Sequence, residues 1–181
     1  MQAPHPFARK VILAACLMTA CWISSASAAC DQPTLYLQSQ AQVNSFKTVY
    51  GCDVFPGRLV IWGVDITNLD SLHLLREIGD LEIRQNDLLT DLEGLTSLQT
   101  IRNGLYLGWN PALSSLHGLE NLESIGTNLS FENNYALATL QGLDGLRTIG
   151  GRLWLSGNDL LLSLNGLNLV DTIGEILIDE N

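Results

Sequence analysis

Basic residues are scarce in this chain of 181 residues: nine Lys and Arg stand against nineteen Asp and Glu, for a net charge of −10. That balance argues against a nucleic-acid or anionic-membrane partner, because both are held by concentrated positive charge. Histidine is scarcer still, with three residues, and cysteine numbers four. They form no cluster at metal-ligand spacing, so neither a metal nor any other cofactor is expected. No apolar run reaches the roughly 18 residues that a membrane-spanning helix needs, so no transmembrane span is expected. A nucleophile with its base and orienter is also lacking, and no catalytic residue is assigned. What the chain does have is apolar content, 46% against 15% charged, which is too much for disorder and enough for one buried domain.

The N-terminus accounts for part of that content. Arg9 and Lys10 precede an apolar run from Val11 to Ile23, and the small residues of "SSASAAC" follow. This is the order of a secretory signal peptide, with cleavage placed after Ala28 in the Ala26-Ser27-Ala28 pattern. Residues 1–28 are therefore expected to leave, and the protein to be exported, whether periplasmic, surface-exposed or secreted. Lipoprotein processing at Cys16 in "LAAC" or Cys21 in "MTAC" is the alternative, and would anchor the chain by lipid. Cys30 and Cys52 remain as an even pair in an oxidising compartment, which predicts a disulfide closing an N-terminal cap over 29–56.

Beyond the cap, 57–181 is repetitive. "GDLEIRQNDLLTDLEGLTSLQTI", "RNGLYLGWNPALSSLHGLENLESI", "GTNLSFENNYALATLQGLDGLRTI" and "GGRLWLSGNDLLLSLNGLNLVDTI" align nearly every apolar position at a period of about 24. Each copy runs L-x-L, Asn, L-x-x-L, Gly-Leu, L-x-x-I. Alternation in L-x-L suits a strand, and the three-residue spacings suit tight turns or short helical turns. One copy cannot bury its own apolar face, so neighbours must stack into a solenoid with a shared interior. In the second copy the inward set is Leu81, Ile83, Leu88 or Leu89, Leu92, Leu95, Leu98 and Ile101.

A polar residue recurs inside these apolar runs. Asn86, Asn110, Asn134, Asn158 and Asn181 each stand five residues after the first apolar residue of their strand. An amide both donates and accepts, so a stacked column of Asn can satisfy backbone groups that a buried turn would strand. The five are read as a structural Asn ladder. The first copy, "GRLVIWGVDITNLDSLHLLREI", is one residue shorter and has Val64 at this place. Asp87 and Asp159 follow their ladder Asn, but Pro111 and Tyr135 occupy that place in the copies between, which breaks any repeated calcium site.

The L-x-L-x-x-N-x-x-L-x-x-L-x-GL-x-x-L-x-x-I pattern, with a Cys pair ahead of it, resembles the receptor L domains, relatives of leucine-rich repeats. The resemblance covers about Cys30 to Asn181. It implies an α/β, leucine-rich-repeat-like, right-handed β-helical solenoid with one exposed parallel β-sheet, and a role in recognition at cell surfaces. It carries no catalytic residue. A cysteine-rich module, a kinase and a Ser/Thr-rich stalk are all missing, which points to a bacterial envelope protein more than to an animal receptor or a fungal wall protein.

Function is therefore expected to be non-catalytic binding of a protein or glycan through the sheet face, with a structural or adhesive spacer as the alternative. Outward positions alternate with the inward aliphatics, which gives Trp62, Tyr106 and Trp154 one face, with Arg84, Glu132 and Arg152 as a polar rim. Tyr106 lies between Gly104 and Gly108, so its ring is expected to stand clear of its own copy. His73 and His117 read as surface residues of connecting segments. The last copy breaks off at Asn181, so an open end is expected there, belonging to a longer gene product or covered by a partner through self-association.

Overall fold

A computed structural model of the protein describes residues 29–181, and the expected signal peptide, with Cys16 and Cys21, lies outside them. Within them the chain is mostly one parallel β-sheet with few helices. Its strands are β1 (Thr34–Leu37), β2 (Val54–Ile61), β3 (Glu77–Arg84), β4 (Thr100–Ile101), β5 (Leu105–Gly108), β6 (Ser124–Ile125), β7 (Leu129–Glu132), β8 (Thr148–Ser156) and β9 (Thr172–Asp179). Pairing runs in two parallel ladders. The longer joins Leu81, Leu105, Leu129, Leu153 and Ile176, and the shorter joins Ile78, Ile101, Ile125, Ile149 and Ile173. Strands β2, β3, β8 and β9 carry both ladders, whereas β4 with β5 and β6 with β7 divide them between two short strands. Each stretch from one long-ladder strand to the next is a rung.

The crossovers explain the three-residue spacing of the leucines. Leu95 N–H donates to the Leu92 carbonyl at 2.8 Å and Leu98 N–H to the Leu95 carbonyl at 2.9 Å. The same steps recur at Leu116–Leu119–Leu122 and Leu140–Leu143–Leu146. Bonds of this i to i+3 kind give three residues per turn, so side chains three apart eclipse one another. Every leucine of the run thus points inward, and Leu89, Leu92, Leu95, Leu98 and Ile101 are fully buried. Leu88, the other candidate for the inward set, is 53% exposed. Burial at roughly 1.5–3 kcal/mol per aliphatic side chain makes this the main driving force of each rung. The glycine before the second leucine is fixed by sterics: at Gly118, with φ +111°, a Cβ would lie 1.9 Å from the Leu92 carbonyl oxygen one rung away.

The asparagines form the expected ladder inside the core. Asn86, Asn110, Asn134 and Asn158 are fully buried. Asn134 Oδ1 accepts from Asn110 N–H and Asn110 Nδ2, both at 3.2 Å, while Asn134 Nδ2 donates to the Leu107 carbonyl at 3.0 Å. The pattern repeats from Asn110 to Asn181, so each of these amides accepts from the rung before it and donates back to that rung's strand, and Asn86 keeps the donating half, to the Ile61 carbonyl. Val64 does not continue it: that side chain is exposed, and Asn86 Oδ1 has no partner among the described residues. The residue before each ladder Asn is left-handed, with φ of 56° at Gln85, 59° at Trp109, 55° at Asn133, 65° at Gly157 and 50° at Glu180.

The N-terminal region takes a fuller part than a cap. Strand β1 pairs in register with β2, Leu35 against Leu59 and Leu37 against Ile61. Its "LYL" is thus one more L-x-L rung, and β2 straddles the boundary expected at 56/57. Helix α1 (Gln40–Val49) fills this rung's crossover, started by Ser39, whose side chain accepts from Gln42 N–H, and packed inward through Val43 and Phe46. The Cys30–Cys52 disulfide is formed, with a Cα–Cα distance of 5.9 Å. At the other end, Ile176 and Ile178 hold the register of the buried Leu153 and Leu155 but are 50% and 57% exposed. No described helix is long and apolar enough to cross a membrane.

Candidate functional site

The outer face of the sheet carries the six residues the alternation assigns to it, and most of them are tied to one another. Arg58 and Arg84 both pair with the Glu82 carboxylate, which is buried beneath them. The Arg84 guanidinium also lies 5.6 Å from the centroid of the Trp62 ring, a cation–π contact of about 0.5–1 kcal/mol at such a partly exposed site. Arg152 pairs with Glu175 at 2.8 Å. Trp154 is exposed on its own strand, beside Ser130 and Leu177 in register.

Tyr106 corrects one expectation. Its ring does not stand clear but lies along the sheet over Gly108, where a Cβ would meet the Tyr106 hydroxyl at 2.3 Å. From there the hydroxyl donates to Glu132 Oε2 at 3.0 Å in the next rung. Burial, then this hydrogen bond and the carboxylate's charge, push the phenol up to about 12. Tyr106 and Glu132 are therefore spent on each other. The face is a network of satisfied pairs, with Trp62 and Trp154 at separate places on it.

The concave feature lies beside the face, where each strand turns into its crossover. A groove of about 550 Å³ crosses five rungs there, lined by Gln38 after β1, Trp62, Gly63 and Val64 after β2, Gln85 and Asp87 after β3, Trp109 and Pro111 after β5, and Asn133 and Tyr135 after β7. With neighbouring strands about 4.8 Å apart, four steps make it roughly 19 Å long. Its volume is that of a ligand site, and its lining joins rings to a few polar groups, as such sites do. Trp109 is 50% exposed and Tyr135 42%.

Trp109 holds its place at a cost. A bulky residue at positive φ is a rarity, and the left-handed conformation costs an L-residue about 1–2 kcal/mol. The fold imposes that geometry on every rung that carries a ladder Asn, and Asn133 and Gly157 meet it with residue types suited to it. A tryptophan there is retained against backbone preference, and strain of this kind gathers at binding sites.

Of the six predicted residues, only Trp62 lines this groove. Trp109, Tyr135, Gln38, Gln85 and Asp87 were not assigned from sequence, and Tyr135 was used only to dismiss a calcium site. A signal existed: residues on either side of a buried ladder Asn lie at a turn and cannot join the core, so aromatics there must be displayed. His117 pairs with Glu120, whose hydrogen bond and charge raise the imidazole pKa. Both are exposed and remote from the groove's lining. No cluster of three or more potential metal ligands occurs among the described residues. No protein-family model, curated protein or solved structure matches this chain.

Proposed function

We propose that the protein is a non-catalytic recognition module of the exported envelope, built as a right-handed β-helical solenoid of the receptor L domain kind. Its binding surface is the aromatic groove beside the sheet face. One observation carries this reading: Trp62, Trp109 and Tyr135 converge on a single groove, with Trp109 in a backbone conformation that disfavours it. Half-exposed rings offer contact area at little entropic cost, since each has only two side-chain torsions to fix. A spacer would need no groove lined with exposed rings. The parallel register at 24 residues, the Asn ladder and the disulfide support the architectural part.

Retention of the purified chain on native envelope preparations tests the reading. W109G with Y135S should abolish retention, whereas T148S with R147K, which leaves groove and face alone, should keep it. Equal retention of both variants would return the protein to the class of structural spacers.

A further inference from the structure

The groove's direction and charge narrow its ligand further. It crosses the strands instead of following one, so a peptide lying in it cannot extend the sheet by backbone pairing, the usual source of affinity for extended peptides. Its rings recur along the stacking direction. Trp62, Trp109 and Tyr135 sit on the first, third and fourth rungs of the groove's aromatic stretch, which spans about 14 Å at about 4.8 Å per strand. That step is close to the length of one pyranose in an extended chain. The polar lining is amide and carboxylate: Gln38, Gln85 and Asn133 both donate to and accept from hydroxyls, and Asp87 accepts from them.

Charge selects among glycans. No Lys, Arg or His lines the groove, and Asp87 lies in it. Arg84, which touches the lining residues Gln85 and Trp62, is held by Glu82, by Gln85 Oε1 at 2.9 Å and by the face of Trp62. The chain as a whole carries −10. An anionic polysaccharide would meet repulsion with nothing to offset it.

We infer that the groove binds an extended, uncharged β-linked glycan laid along the stacking axis, its sugar rings against Trp62, Trp109 and Tyr135. The inference rests on the recognition reading above and adds the ligand's chemistry to it. The apolar C–H faces of the pyranoses stack on the aromatic rings, and their equatorial hydroxyls reach the amides and Asp87. About three to four rings fill the aromatic stretch, given the strand spacing.

Calorimetric titration with cellotetraose, N-acetylchitotetraose and β-1,4-linked tetraglucuronate tests this. At least one neutral tetramer should bind tenfold or more tightly than its monosaccharide, and tetraglucuronate should not bind. W109G and Y135S, each checked by circular dichroism, should each weaken neutral binding at least tenfold, and Y135S decides the matter if W109G does not fold. Failure of both neutral tetramers, or equal binding of tetraglucuronate, overturns the ligand class. Envelope retention that W109G still abolishes would then show that recognition stands while the glycan does not. Loss of both would end both.

Discussion

Replacing Asn134 by Ala tests the ladder at its middle. In the native chain Asn134 Oδ1 is the partner of the Asn110 N–H, and Asn134 Nδ2 is a donor to the Leu107 carbonyl. Alanine strips both buried backbone groups of those partners. A buried group left unsatisfied costs about 1–3 kcal/mol, so the pair amounts to about 2–6 kcal/mol, a large part of the 5–15 kcal/mol by which domains are usually stable. Asn86 provides the internal control. Its Oδ1 serves no donor, and the Asn110 Oδ1 facing it keeps the Asn86 N–H whatever the side chain is. N86A therefore removes a partner from one backbone group, the Ile61 carbonyl, while Asn110 Oδ1 loses Asn86 Nδ2 but still accepts from the Asn86 N–H, so it should cost about half as much on the same per-group scale. Urea unfolding followed by circular dichroism gives both values, compared at unchanged m. If N134A costs less than about 1 kcal/mol, or N86A costs more than N134A, the ladder is not satisfying the backbone as argued.

Three further outcomes follow from particular contacts. Tyr106 has a folded-state pKa raised from 10.0 to about 12; its neutral form is favoured, so its contribution to stability is whole below pH 10 and is lost as pH rises through that interval. Ultraviolet titration should show one tyrosine ionising late, and Y106F should remove that phase; a single phase near pH 10 in the native chain would contradict the packing over Gly108. Reducing Cys30–Cys52, or substituting both by Ser, should cost about 3 kcal/mol for a loop of this size, read as a lowered urea midpoint; an unchanged midpoint would mean that the N-terminal rung is held by β1 and α1 alone. W109G should change stability by no more than about 1 kcal/mol, because relief of the left-handed strain offsets the lost ring contacts and the added freedom of the unfolded chain. A larger loss in thermal denaturation would make Trp109 a packing residue.

What the sequence made legible was whatever the 24-residue period repeats. The inward leucines, the Gly-Leu step and the buried Asn column recur in kind as well as in place, so one copy explains the next. The left-handed residue before each Asn does not recur in kind: Gln85, Trp109, Asn133, Gly157 and Glu180 share a backbone conformation that only two of them favour. Packing imposes that geometry over local preference, so residue types do not expose it, and the aromatics of the groove are marked in the sequence only by their places beside the Asn column. The first rung was missed for another reason. Helix α1 replaces the L-x-x-L turns there, which leaves only the three residues of "LYL" to align. Alternation puts Tyr106 on the face it occupies, but its flanking glycines do not give the ring clearance, because Gly108 is the floor on which it lies.

The most direct test of the account is where a bound partner touches the chain. The described residues contain three tryptophans, Trp62, Trp109 and Trp154, each with one indole N–H visible by nitrogen-15 NMR. With a chain of residues 29–181 saturated by a neutral tetrasaccharide or by solubilised envelope material, the Trp62 and Trp109 signals should shift together while Trp154 stays in place. Movement of Trp154 alone would put recognition on the sheet face, and three unmoved signals under saturation would contradict a binding groove altogether.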